Sequence, residues 1–372
     1  MIELVPVKYY GPVFYWTMFA ICFLTGAYYL DSKGCDKLLK QRSTLLPFLF
    51  TALLTIFIGL RPSSYIFGDM GMYRHLWNMT NVSSIDFFFD FEREWFFELM
   101  LKTCKFLVLD VQFWFFIVCL FFIGCQFWAC KKLLWENVWM AIMFLFFSYQ
   151  LYPYATNGIR NGMGTALMML SISFFCHRNW RGYIIGLLLF ILAIGCHRSL
   201  IVPMAALMVS LFIIKDIKYA VYIWVGCIFV SITAGGYFQG LFEGLSYDNR
   251  MTNYSNASEE IMAQFSRLGF RWDFLLYSAM PVLLASYVRY RGIFDQTFTL
   301  LANTYIIANS FWVLVCRAAY SNRFAYLSWF IYALVIAYAV IRVPIWKDQD
   351  RIAGWILLAH SFFTIIMYLI AR

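Results

Sequence analysis

The sequence predicts an all-α polytopic membrane protein, a single membrane domain over residues 1–372 with about 12 transmembrane helices. Three observations carry this. Of the residues 63% are hydrophobic and only 13% charged, with a mean hydropathy of +0.70, whereas soluble domains carry about 25% charge. Apolar runs recur from one end of the chain to the other. Clusters of Lys and Arg separate these runs in the manner of topology signals. The 21% aromatic content fits interfacial Trp and Tyr belts, with Phe facing lipid or packed between helices.

Taken in order, the candidate spans lie near 10–30, 45–60, 111–130, 135–154, 158–176, 183–196, 199–214, 219–236, 272–290, 296–316, 324–341 and 352–371. Several are shorter than the roughly 20 residues that cross a hydrocarbon core, so short or broken helices are expected. Met1–Pro12 lacks a basic n-region and a small-residue cleavage site, so the first run reads as a retained span. Lys33, Lys37, Lys40 and Arg42 make the first connection cytoplasmic. Lys131/Lys132, Arg178/Arg181, Lys215/Lys218, Arg289/Arg291 and Arg342/Lys347/Arg351 then fall on the same side, which requires an outside N-terminus.

That requirement decides an ambiguous stretch. Tyr183 to Ile214 is 32 residues, which would be about 48 Å as one helix. Both flanks are cytoplasmic by charge, so the segment must go out and return, breaking at Cys196-His197-Arg198-Ser199. Trp135 to Cys176 behaves alike, turning near Pro153 to Asn161. Short paired spans with a polar break point to a binding site at membrane depth. Two outer connections are long, about 61–110 and about 237–271. Within the first, Asp86–Lys105 mixes Phe and Trp with acidic residues and reads as an amphipathic helix lying in the interface.

The net charge of +9 would suggest nucleic acid for a soluble protein. Here it divides between cytoplasmic anchors and arginines of the outer face, and no nucleic-acid partner is expected. The 10 cysteines lie mostly within apolar runs, without a C-x-x-C pair, as buried thiols do. No P-loop, Gly-rich nucleotide fingerprint, HExxH or GxSxG occurs, so neither cofactor nor metal is expected. His75 and His360 stand alone and read as structural. Asp86, Asp90, Glu92, Glu94 and Glu98 read as the solvated face of the amphipathic helix.

The outer basic set is unusual in type. Its lysines are Lys8, Lys102 and Lys105; the rest are arginines, among them Arg61, Arg160, Arg198, Arg317 and Arg323 at ends of apolar runs. Ionised groups at such depth are costly and usually functional. Arginine is preferred where a planar fork must grip phosphate. Few acidic residues lie near Arg160, Arg198, Arg317 or Arg323 in sequence. Asp69, which follows Gly68, is a candidate general base toward a sugar hydroxyl or a partner of Arg61. His197 could take the same proton or donate to a phosphate oxygen.

Four stretches, in order, carry a resemblance. They are Gly59-Leu60-Arg61 with Gly68-Asp69 and Tyr73, then Asn157-Gly158-Ile159-Arg160-Asn161, then Leu192-Ala193-Ile194-Gly195-Cys196-His197-Arg198-Ser199, and last Asn322-Arg323-Phe324. This ordered set resembles the EpsG-like branch of the Wzy-type O-antigen and exopolysaccharide polymerases. Thr is missing before Asp69, the gap after Arg61 is longer, and Asn161 stands where the family has Gln. The resemblance implies a GT-C-like fold and a glycosyltransferase of the bacterial inner membrane. It would pass a growing glycan from undecaprenyl pyrophosphate to a lipid-linked repeat unit at the outer leaflet, with a chain-length regulator as a possible partner. Asp69 or His197 would serve as base. Arg61, Arg160 and Arg323 would grip pyrophosphate, with Arg198, Arg317, Tyr73 and Asn161 in the same binding set.

Other classes compete. A ligase moving finished glycan from the same carrier would share the anion site. A transporter or flippase of lipid-linked sugar would spread its basic residues through the membrane depth. An acyltransferase around His197 would need an acyl donor from the cytoplasmic side.

Overall fold

The computed structural model describes residues 5–31, 43–82, 94–244, 270–317 and 321–370, all-helical where regular. The helices are α1 (Tyr10–Leu30), α2 (Leu45–Gly59), α3 (Met70–Met79), α4 (Trp95–Phe106), α5 (Val111–Leu133), α6 (Val138–Phe146), α7 (Leu151–Thr156) and α8 (Ile159–Phe175). They continue as α9 (Trp180–Cys196), α10 (Ile201–Phe212), α11 (Ile217–Gly244), α12 (Trp272–Tyr290), α13 (Gln296–Leu314), α14 (Ser321–Trp329), α15 (Tyr332–Arg342) and α16 (Gln349–Ile370). Among the described residues, 6 helices are long and apolar enough to cross a membrane, while α2, α9 and the stretch Arg198–Phe212 are apolar but shorter.

Of the about twelve transmembrane helices expected, some of them short or broken, length and apolarity alone single out these 6 among the described residues. The run at 135–154 is the clearest departure: it breaks once, into α6 of 9 residues and α7 of 6 residues. Elsewhere the breaks fall where charge placed them. The stretch Tyr183 to Ile214 divides at Cys196, where His197 leaves helical geometry with φ −158° and ψ 112°. The amphipathic helix is shorter than Asp86–Lys105; its described part is α4, and Asp86, Asp90, Glu92 and Arg93 lie outside the described residues. The second outer connection does not begin at 237, because α11 continues to Gly244 after a kink at Ala234. Lys33, Lys37, Lys40, Arg42, Arg250 and Arg267 also lie outside the described residues.

Contacts divide the chain into two compact units, residues 1–200 with 337–372, and residues 201–336. In the first, α5 is central, packed on α2 and α8, with α9 on α8 and α1 on α16. Its charged groups segregate to opposite ends. At one end the Lys132 ammonium sits 4.0 Å from the Phe174 ring centroid and Arg342 pairs with Glu136 at 2.7 Å. At the other, Gln112 at the start of α5 donates to Leu60 O at the end of α2. The basic clusters of α5, α8 and α15 thus share an end, as the positive-inside pattern requires of them.

In the second unit α13 packs against α10, α11, α12 and α14. Asn309, fully buried on α13, is the hub of a polar network in an otherwise apolar core. Trp224 Nε1 donates to its Oδ1 (2.8 Å), and its Nδ2 donates to Ser328 (2.9 Å) and Ser278 (3.2 Å). Trp329 Nε1 donates to the same Ser278 hydroxyl at 2.7 Å. The amide so ties α11, α12 and α14 to one helix, because apolar packing alone gives helices in lipid little reason to choose a register. Arg289 binds Asp216 through both carboxylate oxygens, at 2.5 and 2.9 Å, and holds that carboxyl below its ordinary range. The contact joins the Lys215/Lys218 and Arg289/Arg291 clusters at one end of the unit.

Replacing Asn309 with leucine removes the acceptor of Trp224 and a donor of two serines. It should cost about 1–3 kcal/mol, measured as a lower melting temperature of the purified protein in detergent.

Candidate functional site

The site is built where four segments of the first unit end together: α2, α7 with the turn into α8, α9, and the start of α4. Arg61 closes α2. It is 1% exposed. Its Nη1 donates to Ile58 O (2.7 Å), a carbonyl of the last helical turn, and its Nη2 to Thr156 O (3.1 Å) at the end of α7. The Phe67 ring lies 5.6 Å from the guanidinium carbon, and Nε is buried without a hydrogen-bond partner. Arg61 is therefore a staple between α2 and the α7–α8 turn, with its two terminal nitrogens bonded to backbone.

That turn presents Asn157, which fixes the connection between α2 and α3. Asn157 Oδ1 accepts the backbone N–H of Asp69 at 2.8 Å. Just before it, Gly68 has φ 66° and ψ −121°, and a Cβ there would lie 2.5 Å from Asn157 Oδ1. The position needs glycine on both counts. Asp69 then caps α3 by position, its side chain exposed and making no capping hydrogen bond. One turn on, Tyr73 packs its ring against Phe97 and Trp114. Its phenol is pushed above its ordinary value chiefly by burial and further by Asp69 and Glu94, against lowering by the Arg160 charge and backbone. Asp69, Glu94 and Arg160 are thus each within electrostatic reach of Tyr73.

Arg160 is the second residue of α8. A cation at the positive end of a helix macrodipole is not placed there by helix stability. Its Nη1 donates to Glu94 Oε2 at 2.7 Å, with side-chain exposures of 20% and 18%. Glu94, 66 positions away, is the acidic partner that local sequence around Arg160 does not supply. It precedes α4 and is not part of a solvated helix face. The pair is monodentate among the described residues, so the guanidinium keeps a second edge.

The break at His197 lies beside this pair. Gly164, one turn along α8 from Arg160, lets α9 approach closely: a Cβ there would sit 2.8 Å from Leu200 and 3.1 Å from Cys196. The Cys196 thiol senses both Glu94 and Arg160. His197 is half-buried and Arg198 exposed in the turn that follows. Asn161, next to Arg160, has a buried Oδ1 without a hydrogen-bond partner.

Arg317 and Arg323 belong to the second unit. Arg317 Nη2 donates to Ile232 O at 3.3 Å, beside the Ala234 kink, and its Nε packs over Gly235 without a partner. Arg323 is exposed in the first turn of α14. The structure brings Arg61, Asp69, Tyr73, Arg160, Asn161, His197 and Arg198 to one end of the first unit.

Sequence reasoning missed Glu94 as part of this group. Its one distinctive signal is its place just ahead of the Trp95-Phe96-Phe97 run. Compared with known protein families, residues 44–372 match the EpsG family. No curated protein and no solved structure matches the chain.

Gly68→Ala would force a side chain into a glycine-only conformation against Asn157. It should leave the protein folded in the membrane but cost about 1–3 kcal/mol locally. Protease protection of the first outer loop reports this, with faster cleavage between Arg61 and Met79 expected.

Proposed function

The chain belongs to the EpsG family, and from that premise we propose that it is a polysaccharide polymerase of the bacterial inner membrane. It joins oligosaccharide repeat units carried on undecaprenyl pyrophosphate, at the outer face and without a metal ion. Family membership points to a membrane protein of the polysaccharide-polymerase type; the carrier, the face and the residue roles are our reading. The apolar helices shorter than a full span complete a GT-C-like bundle in this reading, with its outer end at the Arg61–Arg160 cluster.

The observation that carries it is Arg160. It sits partly exposed at the head of α8, with one guanidinium edge on Glu94 and, among the described residues, no hydrogen bond on the other. Transfer of a glycan from a lipid pyrophosphate leaves developing negative charge on the phosphate oxygens. A fixed, permanently charged fork in a partly dry site stabilises that charge without reorganising. The helix N-terminus beneath it adds to the attraction. Arg198, exposed beside His197, would extend the grip along the diphosphate. Arg61 serves the site from behind by holding the α7–α8 turn, and Asn157 and Tyr73 hold Asp69 and the α8 head in register. Asp69 and His197 are the groups the motifs offer for deprotonating the acceptor hydroxyl.

Purified protein in lipid nanodiscs, supplied with lipid-linked repeat units and no other acceptor, should make a ladder of products. A ligase would make none. Arg160→Lys keeps the charge but loses the planar fork, and ladder formation should fall by about 10²-fold or more. A ladder of wild-type length and rate from Arg160→Lys would remove Arg160 from the chemistry.

A further inference from the structure

A glycosyl transfer to a hydroxyl needs a proton acceptor close to the cation that holds the leaving group. Two carboxylates lie within electrostatic reach of Tyr73 beside Arg160, those of Asp69 and Glu94. They differ in setting. Asp69 is exposed and its side chain makes no capping hydrogen bond. The Glu94 side chain is 18% exposed and held on Arg160 through Oε2 alone. A carboxylate in that place does two things at once: it neutralises the guanidinium, and it occupies ground that an incoming phosphate would claim.

We propose that Glu94 is the exchangeable counter-ion of this site and its general base. In the empty protein it pairs with Arg160. When a lipid pyrophosphate takes that guanidinium, the released carboxylate accepts the proton of the acceptor sugar hydroxyl. The proposal rests on Arg160 as the pyrophosphate ligand. Its logic is electrostatic. The carboxylate and an incoming phosphate compete for one guanidinium, and the pair holds Glu94 on Arg160 through Oε2. A bound diphosphate takes over that cation, so the carboxylate is free to turn to the acceptor hydroxyl only when donor is present. The groups facing Glu94 are Arg160 from α8, Tyr73 from α3 and Cys196 from α9, with Asp69 on the far side of Tyr73's reach. In the step itself the acceptor oxygen bonds to the anomeric carbon as its proton passes to Glu94. The bond from that carbon to the pyrophosphate oxygen breaks, and the electron pair leaves with the lipid diphosphate.

The two halves predict opposite changes in one variant. Glu94→Gln keeps a hydrogen-bond acceptor for Arg160 but removes the competing charge and the base. In nanodiscs it should bind undecaprenyl pyrophosphate about tenfold more tightly than wild type, yet elongate lipid-linked repeats about 10²-fold more slowly. A structural role would weaken both. Equal or weaker binding overturns the counter-ion half, and tighter binding with normal elongation overturns the base half. Glu94→Asp, which shortens the reach but keeps the charge, should restore part of the elongation and none of the tighter binding; failure of that rescue also counts against the base. Arg160→Ala separates the premise: if it binds undecaprenyl pyrophosphate as wild type does, the pyrophosphate reading falls and the proposal with it.

Discussion

An arginine at the head of a helix, three-quarters or more out of water, must find negative charge or pull the structure open. In this chain the charge comes to Arg160 from Glu94, across 66 positions. Meeting that demand fixes much else. For Glu94 to arrive, α4 must pack against α9, and α9 must approach α8 closely enough to require Gly164. For Arg160 to stay put, the turn before α8 must be held, and Arg61 does this with a wholly buried guanidinium on two carbonyls. The same turn offers Asn157 to the Asp69 backbone. One end of the first unit is thus organised by two arginines of different kind. One is sealed and holds backbone; the other is half-open and faces a carboxylate.

The second unit solves a related problem with neutral groups. Its core is held by Asn309 and the hydroxyls and indoles around it. Each donor is matched to an acceptor, so the network specifies helix register without burying a charge. Arg317 follows the pattern of Arg61, reaching a backbone carbonyl beside the kink at Ala234. Arginines at the ends of apolar runs therefore include two that mend irregular backbone, Arg61 and Arg317, and one, Arg160, that pairs with a carboxylate. The distinction rests on what each guanidinium bonds.

Helical class, membrane character and the break at His197 were legible in the sequence because they depend on composition and charge, which are local. The grouping of Arg61, Asp69, Arg160 and His197 was legible through the ordered motifs. What was not legible depended on contacts distant along the chain. Arg61 reads in sequence as a candidate pyrophosphate ligand, and only the fold reveals that Thr156 O takes its second donor. Glu94 reads as one of several acids on an amphipathic helix, yet the helix begins after it and its carboxylate turns to Arg160. The number of spans was less legible for a related reason. Apolarity in α6 and α7 reflects burial inside the protein, and Val138–Phe146 lies almost wholly in the core. Length distinguishes such helices from lipid-facing spans.

The most direct test is a structure of the protein with undecaprenyl pyrophosphate bound. The account predicts a phosphate oxygen within hydrogen-bonding distance of the Arg160 guanidinium, Glu94 withdrawn from it, and Arg61 still on Ile58 and Thr156. A diphosphate seated elsewhere, with the Arg160–Glu94 pair intact, would contradict it.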